Sequence, residues 1–249
     1  MKKQIFLFIF ICSPLLFFSQ AINCTSTIDY GNNDANGHYA TVNGIKIYYE
    51  TYGDPAKQPL LLIHGNGGSV KYARCQIEYF KEDNYVIIVD SRYHGKSDNG
   101  IEELTYRLMA SDYNELLNHL KLDSVNIIGQ SDGGIIGLLL AIEYPEKVNK
   151  LITVAPNLRP DETAFYQFNI DDKKKRLEEV EVQMANGDIS NELVRKKELT
   201  LLLLNYPHIS SEELQSIEAP TLVIFGDSDY MTFEHMEEIY KNIPKAHLL

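Results

Sequence analysis

Cysteine is scarce in this chain, at three in 249 residues. Cys12, Cys24 and Cys75 have no spacing that would assemble a metal site. A membrane-spanning run is also missing: the apolar stretch at residues 5–18 covers only 14 positions, against the ~20 that a spanning helix needs. Positive charge is in deficit, with 23 Lys and Arg against 35 Asp and Glu and a net charge of −12. Such a surface repels nucleic acid and anionic lipid, so neither is expected as a partner.

The N-terminus has the marks of a processing signal. Lys2 and Lys3 precede the apolar stretch, Ser13-Pro14 breaks it, and Ser19-Gln20-Ala21 follows as a small-x-small cleavage pattern. Residues 1–21 therefore read as a secretory signal peptide, cut after Gln20 or Ala21. The mature chain is expected to be secreted or periplasmic, without stable membrane association. An uncleaved anchor is the competing reading, and the run is short for it. Lipidation of Cys24 is disfavoured by its neighbour Asn23. Loss of Lys2 and Lys3 takes the charge balance from −12 to −14. Cys12 leaves with the signal, and whether Cys24 and Cys75 pair stays open.

The stretch at residues 125–145, VNIIGQSDGGIIGLLLAIEYP, organises the rest. An apolar β-type run passes through Gly129-Gln130-Ser131-Asp132-Gly133 into a helical run stopped by Pro145. Glycine two residues before and two after Ser131 permits a tight strand-to-helix turn with the serine at its apex. There the helix dipole favours developing negative charge, and the Asp132 amide is a candidate oxyanion donor. The bland alternative is a glycine-rich turn that merely packs. The buried strand at residues 59–63 runs into His64-Gly65-Asn66-Gly67-Gly68. A glycine-rich loop there leaves amides exposed, and that of Asn66 is the second candidate donor.

Residues 22–37 read as a flexible leader, and residues 38–52 as a β-hairpin about Asn43-Gly44. Residues 69–81 have the pattern of an amphipathic helix, 85–90 of a buried strand, and 104–122 of a helix in which His119 is solvated. In the intervening loop Asp90 and Arg92 are expected to hold the chain by ion pairing, with His94 structural. From residue 158 to about 214, charged helical segments replace strand–helix alternation, as an inserted cap would. Its Lys173-Lys174-Lys175-Arg176 run reads as a solvated face. A strand at 220–225, Gly226-Asp227-Ser228-Asp229, a helix at 233–241 and a strand starting at Ala246 close the chain. The fold class is α/β, a mostly parallel sheet flanked by helices.

With these motifs in order, H-G-N-G-G, D-S-R-Y-H-G-K-S, G-Q-S-D-G-G and F-G-D-S-D, residues 38–249 resemble the α/β-hydrolase fold family. The Ser131-Asp132-Gly133-Gly134 elbow is most similar to the valacyclovir-hydrolase-like serine esterases. The resemblance implies a cofactor-free serine hydrolase acting on a small ester, or an amide or thioester, through an acyl-enzyme on Ser131. It places the triad acid on Asp229 rather than Asp227, with capping of the next helix as the alternative. Serine at the apex disfavours dehalogenase and epoxide hydrolase chemistry, which uses aspartate there, and leaves carbon–carbon-bond hydrolases and haloperoxidases open. The family's catalytic histidine follows the final strand, inside which this sequence ends. A truncated record of a working hydrolase is one expectation, and a non-catalytic binding protein without the base is the other. His247 lies before the expected loop, and His235 is an outside candidate. A missing last helix would also leave apolar sheet surface open. Asp132 beside the nucleophile either attracts a cationic amine of the substrate or binds its own helix's first-turn amides.

Overall fold

The computed structural model describes Cys24 and residues 26–249. The expected signal peptide lies outside the described residues. Asn43 and Gly44, both at positive φ (43° and 77°), join β1 (Gly37–Val42) to β2 (Ile45–Tyr52) in the two-residue hairpin that an Asn-Gly pair favours. Six further strands follow: β3 (Pro59–Ile63), β4 (Tyr85–Val89), β5 (Val125–Gln130), β6 (Val148–Val154), β7 (Thr221–Ile224) and β8 (Ala246–Leu248). The eight lie in the order β1-β2-β4-β3-β5-β6-β7-β8. From β4 to β8 every neighbour is parallel, and β1 and β2 are added antiparallel at one edge. The continuous apolar runs of β3 and β4 occupy the middle, where a strand is buried on both faces.

One face carries α2 (Tyr106–His119), α3 (Asp132–Glu143) and α7 (Phe233–Asn242) over a core that includes Ile127, Leu151, Val223 and Met236. The other face carries a 3₁₀ turn and α1 (Arg74–Phe80) over Leu60, Leu62, Val86 and Ile88. The expected single helix at residues 69–81 is thus two short pieces. Further along this second face Ile128, Ile152, Val154, Leu222 and Ile224 are only half-buried.

Among the described residues the leader is packed rather than flexible. Tyr30 is 1% exposed among Tyr52 and Ile28, and Cys24 is disulfide-bonded to Cys75 of α1, which resolves the pairing left open by the sequence. Glu50, fully buried, fixes the rest. Its Oε1 accepts from the Tyr48 hydroxyl at 2.5 Å and the Gly31 amide at 3.0 Å, and its Oε2 from the Tyr52 hydroxyl at 2.7 Å. A polar stretch mistaken for a linker is therefore held by one interior carboxylate, an acceptor that leader and sheet share.

Strand order changes direction at β3, which lies between β4 and β5. In open parallel sheets the crevice forms at the C-terminal ends of the strands flanking such a switch. Here those ends release the His64–Gly68 loop and the turn at Ser131 side by side, since Ile63 pairs with Gly129. Near them lies the helical insertion expected as a cap, α4 (Gln167–Ala185) against α5 (Asn191–Asn205), followed by α6 (Ser211–Gln215). Arg195 of α5 ties the cap to the loop after β4, donating to Ser97 O at 2.7 Å and Gly95 O at 2.9 Å. The basic run of α4 is not uniformly solvated: the Lys173 ammonium is buried, 3.3 Å from the centre of the Phe165 ring. It lies on the helical stripe Ile170, Lys173, Leu177, Val180 that faces inward.

Glu50→Ala leaves two tyrosine hydroxyls and two backbone amides, of Gly31 and Asn33, without their acceptor. The expected loss of stability is about 3 kcal/mol, measured as a lowered urea midpoint.

Candidate active site

The turn at Ser131 exists because two glycines let backbones touch. A Cβ on Gly129 would meet Gly133 O at 2.1 Å, and one on Gly133 would meet Ile63 O at 2.2 Å. The start of α3 is thereby pressed onto β3 and β5. Ser131 itself takes φ 52° and ψ −118°, a strained conformation for a residue with a Cβ. Its amide is pinned to Val154 O of β6 at 2.7 Å. The half-buried side chain emerges at the N-terminus of α3, into a pocket shared with Tyr72, Gln130 and the His64–Gly68 loop.

That loop is fixed from below by two neutral imidazoles. His64 Nδ1–H donates to Gly65 O at 2.8 Å while its Nε2 accepts from the Ser91 amide at 3.1 Å. His94 uses the same tautomer, with Nδ1–H donating to Arg92 O at 2.9 Å and Nε2 accepting from the Gly67 amide at 3.0 Å. Burial is the main cause that pushes their pKa values down, to about 4 for His64 and about 3 for His94. His94 is structural as expected, and its structural task is to set the loop. Gly68 N donates to Gly65 O at 2.9 Å. The Asn66 amide has no acceptor among the described residues, whereas the Asp132 amide faces its own carboxylate.

Asp90 and Arg92 do not hold the neighbouring loop by pairing with each other. Asp90 accepts from the Val70 and Lys96 amides, each at 2.8 Å. Arg92 forms a two-pronged buried pair with Asp112, both contacts at 2.8 Å. Ser91 Oγ adds a 2.7 Å contact to the Tyr113 hydroxyl. The loop after β4 is thus internally saturated.

Asp132 points away from solvent, 2% exposed. Its Oδ2 accepts from the Asn66 side-chain amide at 3.0 Å, and the same Nδ2 reaches Leu199 O of the cap at 3.3 Å. Asn66 therefore contributes a side chain as well as a free amide, linking its loop, the turn at Ser131 and α5. Lys173 Nζ is buried without a hydrogen-bond partner, and the buried Tyr106 hydroxyl interacts with the Asp132 carboxylate. Burial raises the Asp132 pKa to about 6, against the lowering influence of Asn66, Tyr106 and Lys173. Burial lowers that of Lys173 to about 8, against the opposing pull of Asp132. Tyr106 and Lys173 were not singled out from the sequence. The signal for Lys173 was its place on the apolar stripe of α4; Tyr106 had only its position at the first turn of α2.

Asp229 lies in the loop after β7, half-buried, its Oδ1 accepting from the Tyr230 amide at 2.7 Å. Among the described residues no hydrogen bond or ion pair joins it to Ser131. It does not cap α7: Thr232 does, its hydroxyl accepting from the His235 amide. Asp227 is exposed beside Ser228. His235 is 1% exposed, and its Nε2 accepts from the Leu158 amide at 3.0 Å, so it serves the cap junction and does not turn to the serine. His247 sits in β8 opposite Leu222. Among the described residues no group of three His, Cys, Asp or Glu side chains converges as a metal site would.

Comparison with known proteins agrees with this geometry. Residues 58–173 match the model of the alpha/beta hydrolase fold family. The chain is 27% identical over 221 residues to a putative carbamate hydrolase RutD of Caulobacter sp. (strain K31), spanning 77% of this chain and 80% of that one. It is 28% identical over 127 residues to 3-oxoadipate enol-lactonase 2 of Acinetobacter baylyi, covering 51% of this chain and 48% of that protein. Among solved structures, a hydrolase from Pseudomonas aeruginosa PA01 superposes with a TM-score of 0.71 at 22% identity, over 87% of this chain and 90% of the other. Sheet order, serine turn and these likenesses converge: the chain has the α/β-hydrolase fold and is an enzyme of that type.

Proposed function

We propose that this enzyme is a serine hydrolase cleaving a small ester, with an amide or thioester as related substrates. The observation that carries the reading is Ser131 held at a strained turn at the start of α3, with the Asn66 amide, which has no acceptor among the described residues, on one side and the Asp132 amide on the other. A carbonyl placed on Ser131 Oγ would develop its negative charge between those donors, at the positive end of α3. Attack forms the Oγ–carbonyl bond, the alcohol leaves with a proton, and water then releases the acyl group. The proton acceptor in this reading is a histidine expected after Leu249, with Asp229 orienting it. The buried histidines support that assignment, because His64, His94 and His235 already use Nε2 as an acceptor of backbone amides.

The names of relatives point to hydrolysis of small molecules, a carbamate in one case and an enol-lactone in another. The substrate-binding role of Asp132 towards a cationic amine finds less support than its alternative contacts. A cap ammonium already lies within its electrostatic reach. We also place the mature protein outside the cytoplasm, on the signal-like N-terminus and the Cys24–Cys75 disulfide together.

A fluorophosphonate probe is expected to label Ser131 in the full-length gene product, located by mass spectrometry of the peptide. Ser131→Ala should abolish labelling, and Asp229→Asn should slow it by about 100-fold or more, in line with loss of a triad member. Absence of label in the full-length product would instead favour a non-catalytic binding protein. Labelling of residues 26–249 alone at the full rate would show that the base lies within them.

The neutral rings beneath the loop give a pH signature. His64 and His94 have folded pKa values of about 4 and about 3, below the ordinary 6.5 of the unfolded chain. Between those values the unfolded state binds the extra protons, so their contribution is complete above pH 6.5 and is lost as pH falls towards 4. Asp132 works in the opposite sense, because its raised pKa adds stability at low pH that disappears as pH rises through about 6. Urea midpoints at pH 7 and pH 5 should fall on acidification, and His94→Gln, which cannot titrate, should flatten that slope.

A further inference from the structure

The pocket at Ser131 offers a substrate very few free side chains. Its wall is the His64–Gly68 loop, together with Tyr72 and Gln130. Gly65, Gly67 and Gly68 present backbone alone, and a Cβ placed on Gly67 would meet nothing within 4 Å, so that side of the loop is open. The His64 ring is engaged at both nitrogens, by Gly65 O and the Ser91 amide. The Asn66 side chain is committed to Asp132 and Leu199 O. What remains is Tyr72, 72% exposed, and Gln130, also exposed, and neither side chain hydrogen-bonds to another described residue.

Tyr72 is held in place while its ring is left uncovered. It lies in the 3₁₀ turn Val70–Ala73, whose Val70 and Ala73 are buried. The Val70 amide donates to Asp90 Oδ1 at 2.8 Å, and the Tyr72 amide to Ser69 O at 3.0 Å. A turn anchored on its inner side presents the aromatic ring on its outer side. Tyr72 and Gln130 also border a second hollow, floored by Leu62, Ile88 and Ile128, so a group lying along the Tyr72 ring has apolar surface at its far edge.

On the serine-hydrolase reading of Ser131, we propose that Tyr72 is a specificity-determining residue of this site and selects esters that carry an aromatic ring next to the scissile carbonyl. A flat ring packs on an uncovered tyrosine in the offset or edge-on arrangements that aromatic pairs favour, and gains more than its buried area alone supplies. A saturated ring of the same size keeps the apolar contact and loses that gain. No Lys, Arg, Asp or Glu side chain lines the pocket among the described residues, so a charged substituent finds no opposite charge there. Gln130 adds one amide donor group and one acceptor, which suit a neutral polar substituent on the ring.

The test uses the Ser131→Ala form of the full-length gene product and amides that do not react. Benzamide against cyclohexanecarboxamide probes a ring on the acyl side, and acetanilide against N-cyclohexylacetamide a ring on the leaving-group side. In saturation-transfer NMR titrations the aromatic member of at least one pair should bind about fivefold more tightly than its saturated counterpart. Tyr72→Leu and Tyr72→Ser should each bring that ratio close to one, and Tyr72→Phe, which keeps the ring, should preserve it. Tyr79→Leu, at an exposed tyrosine of α1 outside the pocket, should leave it unchanged. Thermal melts check that each variant is folded, and the two ring-removing variants guard against loss of either one. Equal binding within both pairs, no detectable binding of any of the four amides, or a preference that survives removal of the ring would overturn the proposal. Fluorophosphonate labelling of Ser131 without an aromatic preference would strike this subsite alone, whereas an aromatic preference without labelling would remove the nucleophile assignment and keep the subsite.

Discussion

The close approach of α3 to the sheet is the constraint on which the rest depends. The first turn of that helix lies directly on the backbone of β3 and β5, at a distance only glycine allows at positions 129 and 133. This forces Ser131 into positive φ and lifts its hydroxyl out of the sheet. It also sets the Asp132 amide next to the loop leaving β3, because Ile63 and Gly129 are register partners. The strain stored at the serine is offset by its amide bond to Val154 O and by burial of almost the whole of α3, from Asp132 to Ala141. A looser helix would relax Ser131 and move the start of α3 away from the loop after β3 at once.

The site is set by groups that never meet a substrate. His64 and His94 accept amide protons and donate to carbonyls, tasks that need a defined tautomer and a neutral ring. Burial supplies the neutrality, and the loop after β4 supplies the rigidity through Asp90, Arg92 and Asp112. Buried histidines in a hydrolase invite assignment as bases, but hydrogen bonding decides the matter: a ring nitrogen already accepting a backbone proton has no lone pair for a serine. The same reasoning removes His235.

Much of this was legible in the sequence. The strand–turn–helix at residues 125–145, the hairpin about Asn43-Gly44, the buried runs of β3 and β4 and the helical insertion each carry a local signal, whether periodicity, a glycine or a proline. The candidate nucleophile and both amide donors could be named because backbone geometry follows from those same signals. What could not be read was long-range. Nothing within residues 22–37 announces that Glu50 will accept a proton from their backbone, or that Cys24 will reach Cys75. Lys173 looked solvated because its neighbours Lys174 and Lys175 are; only its phase on α4 tells them apart. Asp132 looked like a helix cap or an amine receptor, and its actual donor, Asn66, lies 66 residues earlier in the chain.

Contacts at their edges hold the inserted helices against the rest of the fold. Ile170 and Val180 of α4 and Leu193, Leu199 and Leu202 of α5 are buried, Arg195 donates to Ser97 O and Gly95 O, and the Asn66 side chain reaches Leu199 O. The same Asn66 nitrogen also donates to the Asp132 carboxylate, so one side chain ties the loop after β3 to the first turn of α3 and to α5. Its removal would leave a buried carboxylate oxygen and a helix carbonyl short of a donor together, a cost that falls on all three segments at once.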